Sequence, residues 1–136
     1  MLGEIDLVDT LSASAFRATN GDCAWRRDDL PAVMESLAAG HYAILSGEVW
    51  VVEGNLFCPL SPCRTGGWTL LAWETPRRED HESWDHFAQR AADETLRAIH
   101  ALNPEERVPL DIAGKLYYHL CFTDEPSYWP STVTAA

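Results

Sequence analysis

Lysine is almost missing from this 136-residue chain: Lys115 stands alone, and with the arginines it makes 10 bases against 21 acids. The formal net charge is −11. Phosphate recognition needs a basic stripe, but the pairs Arg26-Arg27 and Arg77-Arg78 run straight into Asp28-Asp29 and Glu79-Asp80. The balance therefore argues against direct nucleic-acid binding. Also lacking is any run near the ~18 uninterrupted apolar residues that span a bilayer. Met1-Leu2-Gly3-Glu4-Ile5-Asp6 has acids where a secretory signal needs bases and then an apolar stretch, so the expected location is cytoplasmic and no membrane partner is expected.

Catalytic signatures are absent as well. No Gly-x-Ser-x-Gly elbow, phosphate-binding loop or dinucleotide glycine fingerprint occurs. Thr65-Gly66-Gly67-Trp68 reads as a strand entry. Cys23, Cys58, Cys63 and Cys121 are expected as thiols in a reducing compartment and mostly as small buried hydrophobes. Cys58 and Cys63 leave a redox or metal role open, although a structural zinc site needs a second ligand pair. The His/acid run Glu79 to His86 fails a metal test. His81 and His86 are five residues apart and diverge by about 140° on a helix, and Asp85 stands where the second histidine of a zinc pair belongs. No cofactor and no metal are expected.

What is present can build a core. Hydrophobic residues make up 46% and charged ones 23%, with six Trp, four Tyr and four Phe, so disorder is not expected despite the charge. The length fits a single domain over 1–136, with a frayed tail from about 131. Ile5 to Val8 reads as a short strand and Leu11 to Phe16 as a helical turn or two. Leu30, Val33, Met34 and Leu37 recur at helical spacing behind Pro31, giving a helix to Ala39 that Gly40 stops. His41 to Leu45 and Glu48 to Glu53 read as strands with a bend at Ser46-Gly47. Gly54-Asn55 is a tight turn into Leu56-Phe57, and Trp68 to Glu74 is a further strand.

Trp84, Ala88, Ala91, Thr95, Ile99 and Leu102 form an apolar stripe that predicts a long helix from Asp80 or His81 to Leu102, ended by Asn103-Pro104. Arg90 with Glu94 and Asp93 with Arg97 are spaced to pair along it. Lys115 to Phe122 reads as a last strand. The fold class expected is α+β: an antiparallel sheet of about four to six strands with one long and one or two shorter helices packed on it. Trp50 and Trp84 are expected on core faces.

The stretch Gly40 to Trp50, then Trp68 to Glu74 and the Trp84-bearing helix, resembles the small α+β immunity proteins of bacterial polymorphic toxin systems. That resemblance implies a cytoplasmic antitoxin that binds a cognate toxin domain and blocks its active site or substrate surface. A basic, nucleic-acid-attacking toxin would suit the charge through electrostatic steering. Candidate contact residues are Asp80, Glu82, Asp85, Asp124, Glu125, Tyr128 and Trp129; in the run Asp124 to Pro130 two aromatics beside acids suit a binding hot spot or a segment folding back onto the core. Two other readings stand beside it. One is a small enzyme or ligand-binding domain with a Trp-lined pocket holding His41, His119 or Cys121; the other is a self-assembling structural or phage-type accessory protein.

Overall fold

A strand whose side chains are apolar on both faces can serve two layers at once, and β3, Ala43–Glu53, is such a strand. In the computed structural model, which describes residues 15–18, 22–59 and 71–128, this strand is the spine of the protein. One edge of β3 pairs antiparallel with β6, Leu116–Thr123. The other edge is shared end to end by β4, Leu56–Pro59, and β5, Ala72–Glu74. β2, Cys23–Trp25, extends the sheet beyond β6, and β1, Ala15–Arg17, extends it beyond β2. The order β1-β2-β6-β3-β4, with β5 also on β3, makes a six-stranded sheet that curls into a half-barrel. Among the described residues every strand pairing is antiparallel.

Helices cover one face. α1 runs from Leu30 to Ala39 and buries Leu30, Val33, Met34 and Leu37. α2, Trp84–Leu102, buries Trp84, Phe87, Ala88, Ala91, Ala92, Thr95 and Ile99. A four-residue helix, α3, spans Leu110–Ala113. The main core gathers α1, the C-terminal half of α2 and the inward residues Val49, Val51, Leu116, Tyr118 and Leu120 around Trp25 and Trp73. A second group joins Ala43 to Trp84, Phe87, Ala88 and Ala91. The opposite face has its own small core, where Trp50 is covered by Phe16, Phe57 and His119. Trp50 is thus buried, but on the face away from the helices.

Several expectations need correction. α2 begins at Trp84 and not at Asp80 or His81. Ser83 is extended (φ −66°, ψ 155°) and its hydroxyl accepts from the His86 N–H, while His81 sits at φ 67°, outside any helix. Phe16 lies in β1, and the short strand β2 carries no alternation that separates it from a loop. His41 to Leu45 and Glu48 to Glu53 are one strand, because the irregularity at Ile44/Ser46 is a bulge and not a turn. Thr75 accommodates that bulge: its hydroxyl donates to the carbonyls of Ile44 at 2.7 Å and Leu45 at 3.1 Å, and its N–H donates to Leu45 O at 3.0 Å. Arg90 reaches Glu82 in place of Glu94, and Arg97 pairs with Glu94 in place of Asp93. The expected strand at Ile5 to Val8, residues 11–14, Cys63, Trp68, Trp129 and the tail lie outside the described residues.

Gly47 lies opposite Trp73 in the β3–β5 register, and the indole occupies the space a side chain would need. A Cβ at Gly47 would stand 2.3 Å from Trp73 Cζ2 and 2.8 Å from the His119 carbonyl oxygen. Backbone on one side and a core indole on the other leave nothing to yield. Gly47→Ala is expected to destabilise the fold by about 1–3 kcal/mol, read as a lowered urea midpoint with an unchanged slope.

Candidate functional site

Helix α2 starts at a corner where three segments meet: the entry to β3, the residues before α2, and the turn after β6. The cleft between them has a volume of about 420 Å³ and is lined by His41, Ser83, Trp84, Asp85, Asp124, Glu125 and Pro126. Trp84 supplies its apolar wall. The indole N–H donates to the His41 carbonyl at 2.7 Å, which ties the helix start to the strand entry. His41 adopts φ 67° although Gly40 beside it, the residue suited to that region, stays at φ −85°. The imidazole thereby reaches Asp85, with Nδ1 3.0 Å from Oδ1, and both side chains are well exposed.

Arg78 holds the far wall. Its guanidinium lies 5.4 Å from the Trp84 ring centroid and bonds Glu125 at 3.0 Å, while its Nε donates to the Glu82 carbonyl at 2.9 Å. Tyr128 folds back on Trp84 and Phe87, with centroids 5.5 and 5.4 Å away, and its hydroxyl accepts from the Arg78 N–H. The Asp124 carboxylate accepts from the Ser127 N–H at 3.0 Å, and the Ser127 side chain, followed by this N–H, lowers its pKa below the ordinary carboxylate value.

Glu82 belongs to the support of this corner. Its side chain is 4% exposed, and Arg90 grips both oxygens, Nε to Oε2 at 2.8 Å and Nη2 to Oε1 at 2.7 Å. His86 Nδ1 lies 2.6 Å from Oε2, and the Glu79 N–H donates to Oε1. The bidentate arginine, aided by these further bonds, holds the carboxyl far below its ordinary pKa. Arg90 also donates to the Arg77 carbonyl at 2.9 Å, so one carboxylate locks the segment 77–82 onto α2.

Of the sequence-derived candidates, Asp85, Asp124 and Glu125 line the cleft, and Tyr128 packs behind its Trp84 wall. Asp80 is exposed in the turn before α2 and lines no part of it. Glu82 is engaged internally, and Trp129 lies outside the described residues. Arg78 was not among the candidates. His41 was named only for the alternative reading of a Trp-lined pocket, and it lines this cleft beside Trp84. Among the described residues no three His, Cys, Asp or Glu side chains gather as a metal site, and no helix is long and apolar enough to cross a membrane. No family model, curated protein or solved structure matches the chain.

Because the folded Glu82 carboxyl has a pKa below its ordinary value of 4.5, its ion pairing stabilises the protein above that pH and is lost as pH falls through the folded value. Glu82→Gln keeps the size and one acceptor but removes the charge. Its urea midpoint is expected to fall clearly below wild type near about pH 7, and the gap to narrow near about pH 3. A gap that stays constant with pH would show that the charge contributes nothing.

Proposed function

We propose that this protein acts by stoichiometric binding, as an immunity-type antitoxin of the cytoplasm whose acidic cleft takes a basic side chain from a cognate toxin domain. The observation that carries the reading is the cleft itself: Asp85, Asp124 and Glu125 line it together with Trp84 in a molecule of net charge −11. An aromatic face rimmed by carboxylates is the chemistry that receives a guanidinium or an ammonium. Arg78 already uses that chemistry from within, with its guanidinium near Trp84 and on Glu125.

The field at the corner keeps the right sign after its opposing contributions are counted. The N-terminus of α2 brings roughly half a positive charge, and Arg78 offsets one carboxylate. Roughly one and a half negative charges remain, enough to orient a cation at contact distance. The wider field draws a basic partner from further away, up to about 10 Å at ordinary salt.

The test uses the protein as immobilised bait in a lysate of the source cells, with wild type beside an Asp85→Asn, Asp124→Asn, Glu125→Gln variant. A basic protein retained by wild type, lost by the variant, and toxic when expressed without its binder is the expected result. With that partner purified, raising salt from about 50 to 500 mM should slow association by on the order of tenfold. A partner held equally by both baits, or an association rate indifferent to salt, refutes the reading.

A further inference from the structure

The outer face of the sheet carries a second arrangement of reactive groups, separate from the cleft. Cys121 and His119 are two apart on β6, so strand alternation sends both side chains to the face away from the helices. Cys121 Sγ is exposed and lies 3.8 Å from His119 Nε2. The other ring nitrogen, Nδ1, lies 2.9 Å from the Cys23 backbone oxygen. A carbonyl only accepts, so Nδ1 carries a proton and Nε2 is the nitrogen left to exchange one with the thiol.

The imidazole is fixed in its plane too. It stacks on Trp50, centroids 4.7 Å apart and planes 13° apart. Trp50 is held in turn by Phe57, stacked at 4.0 Å, and by its own N–H donating to Glu48 at 2.8 Å. The register places Ser46 opposite Cys121 and Glu48 opposite His119. A thiol beside a histidine whose orientation is set by a third group is the arrangement that activates a nucleophile.

We propose that Cys121 is an oxidation site, a nucleophilic thiolate that reacts with small neutral hydroperoxides while His119 supplies the proton to the leaving oxygen. In the step, sulfur attacks one peroxide oxygen, an S–O bond forms and the O–O bond breaks. The departing oxygen takes the proton from His119 Nε2 and leaves as water, or as an alcohol from an organic hydroperoxide. Sulfur is oxidised by two electrons to the sulfenic acid, the peroxide is reduced, and His119 ends neutral.

The electrostatics favour the charge-separated pair. The hydrogen bond with His119 lowers the Cys121 pKa below its ordinary value, against an opposing effect of burial. Burial alone would lower His119, but its bonds to Cys121 and the Cys23 carbonyl prevail and its pKa is raised. The other charged groups facing the pair are Asp22, which favours the imidazolium and opposes the thiolate, and Glu48 on β3. The surrounding negative field repels anionic oxidants, which leaves neutral peroxides as the fitting class. Cys23 is buried in the core on the helix side, so it is not placed to resolve the sulfenic acid as a disulfide.

Reduced protein treated with hydrogen peroxide in the presence of dimedone, followed by peptide mapping, tests this directly. Label is expected at Cys121 about tenfold faster than at Cys23 or Cys58. The Cys121 rate should persist to lower pH than an ordinary thiol's, which falls as its thiolate is lost below ~8.5. His119→Gln, which retains an N–H for the Cys23 carbonyl, should slow labelling near about pH 7 by on the order of tenfold and return the profile to the ordinary thiol range. A wild-type Cys121 that labels no faster than Cys58, or with the pH profile of a free thiol, overturns the proposal whether or not the variant folds. So does a profile that His119→Gln leaves unchanged.

Discussion

The double-sided use of β3 is the constraint on which the rest of the structure depends. Its inward side chains, Val49 and Val51, complete the core under α1 and α2, while Trp50 completes a separate aromatic layer on the other face. Both edges are engaged, so no unpaired ladder is presented over its central residues. Gly47 is the point where these demands collide, since strand, indole and the β6 backbone all converge there. The bulge at Ile44/Ser46 then turns the strand entry toward α2, and the carbonyls it displaces are met by Thr75. That entry, with His41 at its start, forms one wall of the cleft.

Charge is used in two ways, and separating them matters more than the net value. Some acids are internal fasteners. Glu82 ties the segment before α2 to Arg90, and Glu105 joins Arg27 at 2.6 Å to the hydroxyl of the fully buried Tyr118. Burial and the bond to Glu105 raise the Tyr118 pKa, so the phenol stays protonated and donates. These carboxylates are consumed by their partners and contribute little to an external field. Asp85 faces His41, Asp124 bonds Ser127 and Glu125 bonds Arg78, and all three carboxylates line the open cleft.

Local signals were enough for much of the fold. The Leu30–Val33–Met34–Leu37 spacing, the Gly54-Asn55 turn, the Asn103-Pro104 stop and the β-rich run of β6 all act within a few residues, and each appears where the sequence puts it. What stayed hidden needed a distant partner. Cys23-Ala24-Trp25 becomes a strand because β6 offers it an edge, and the start of α2 moves to Trp84 because Ser83 caps it and Glu82 is drawn into Arg90. For the cleft, the acids and Trp84 were legible as residue types. Their sharing of one cleft was not, since Asp124 and Asp85 come to the same corner only through the β3–β6 register and the packing of Tyr128 on Trp84. Arg78 looked like half of an arginine pair followed by acids; its role at Glu125 follows only from that same closure.

The negative field and the Cys121–His119 pair pull against each other, and their balance explains why the pair must be so closely built. Every surrounding carboxylate disfavours a thiolate, so an exposed cysteine on a body of charge −11 would ordinarily be less reactive than a free thiol. A protonated His119 at 3.8 Å opposes this, because attraction at contact distance outweighs the repulsion from Asp22 and from more distant, screened carboxylates. The effect holds only while Nε2 faces the sulfur. A flipped or freely rotating ring would leave the thiol to the acidic field; the Trp50 stack holds the ring plane and the bond to the Cys23 carbonyl selects the flip state. The same strand pairing that closes the core therefore also sets the chemistry of its outer surface.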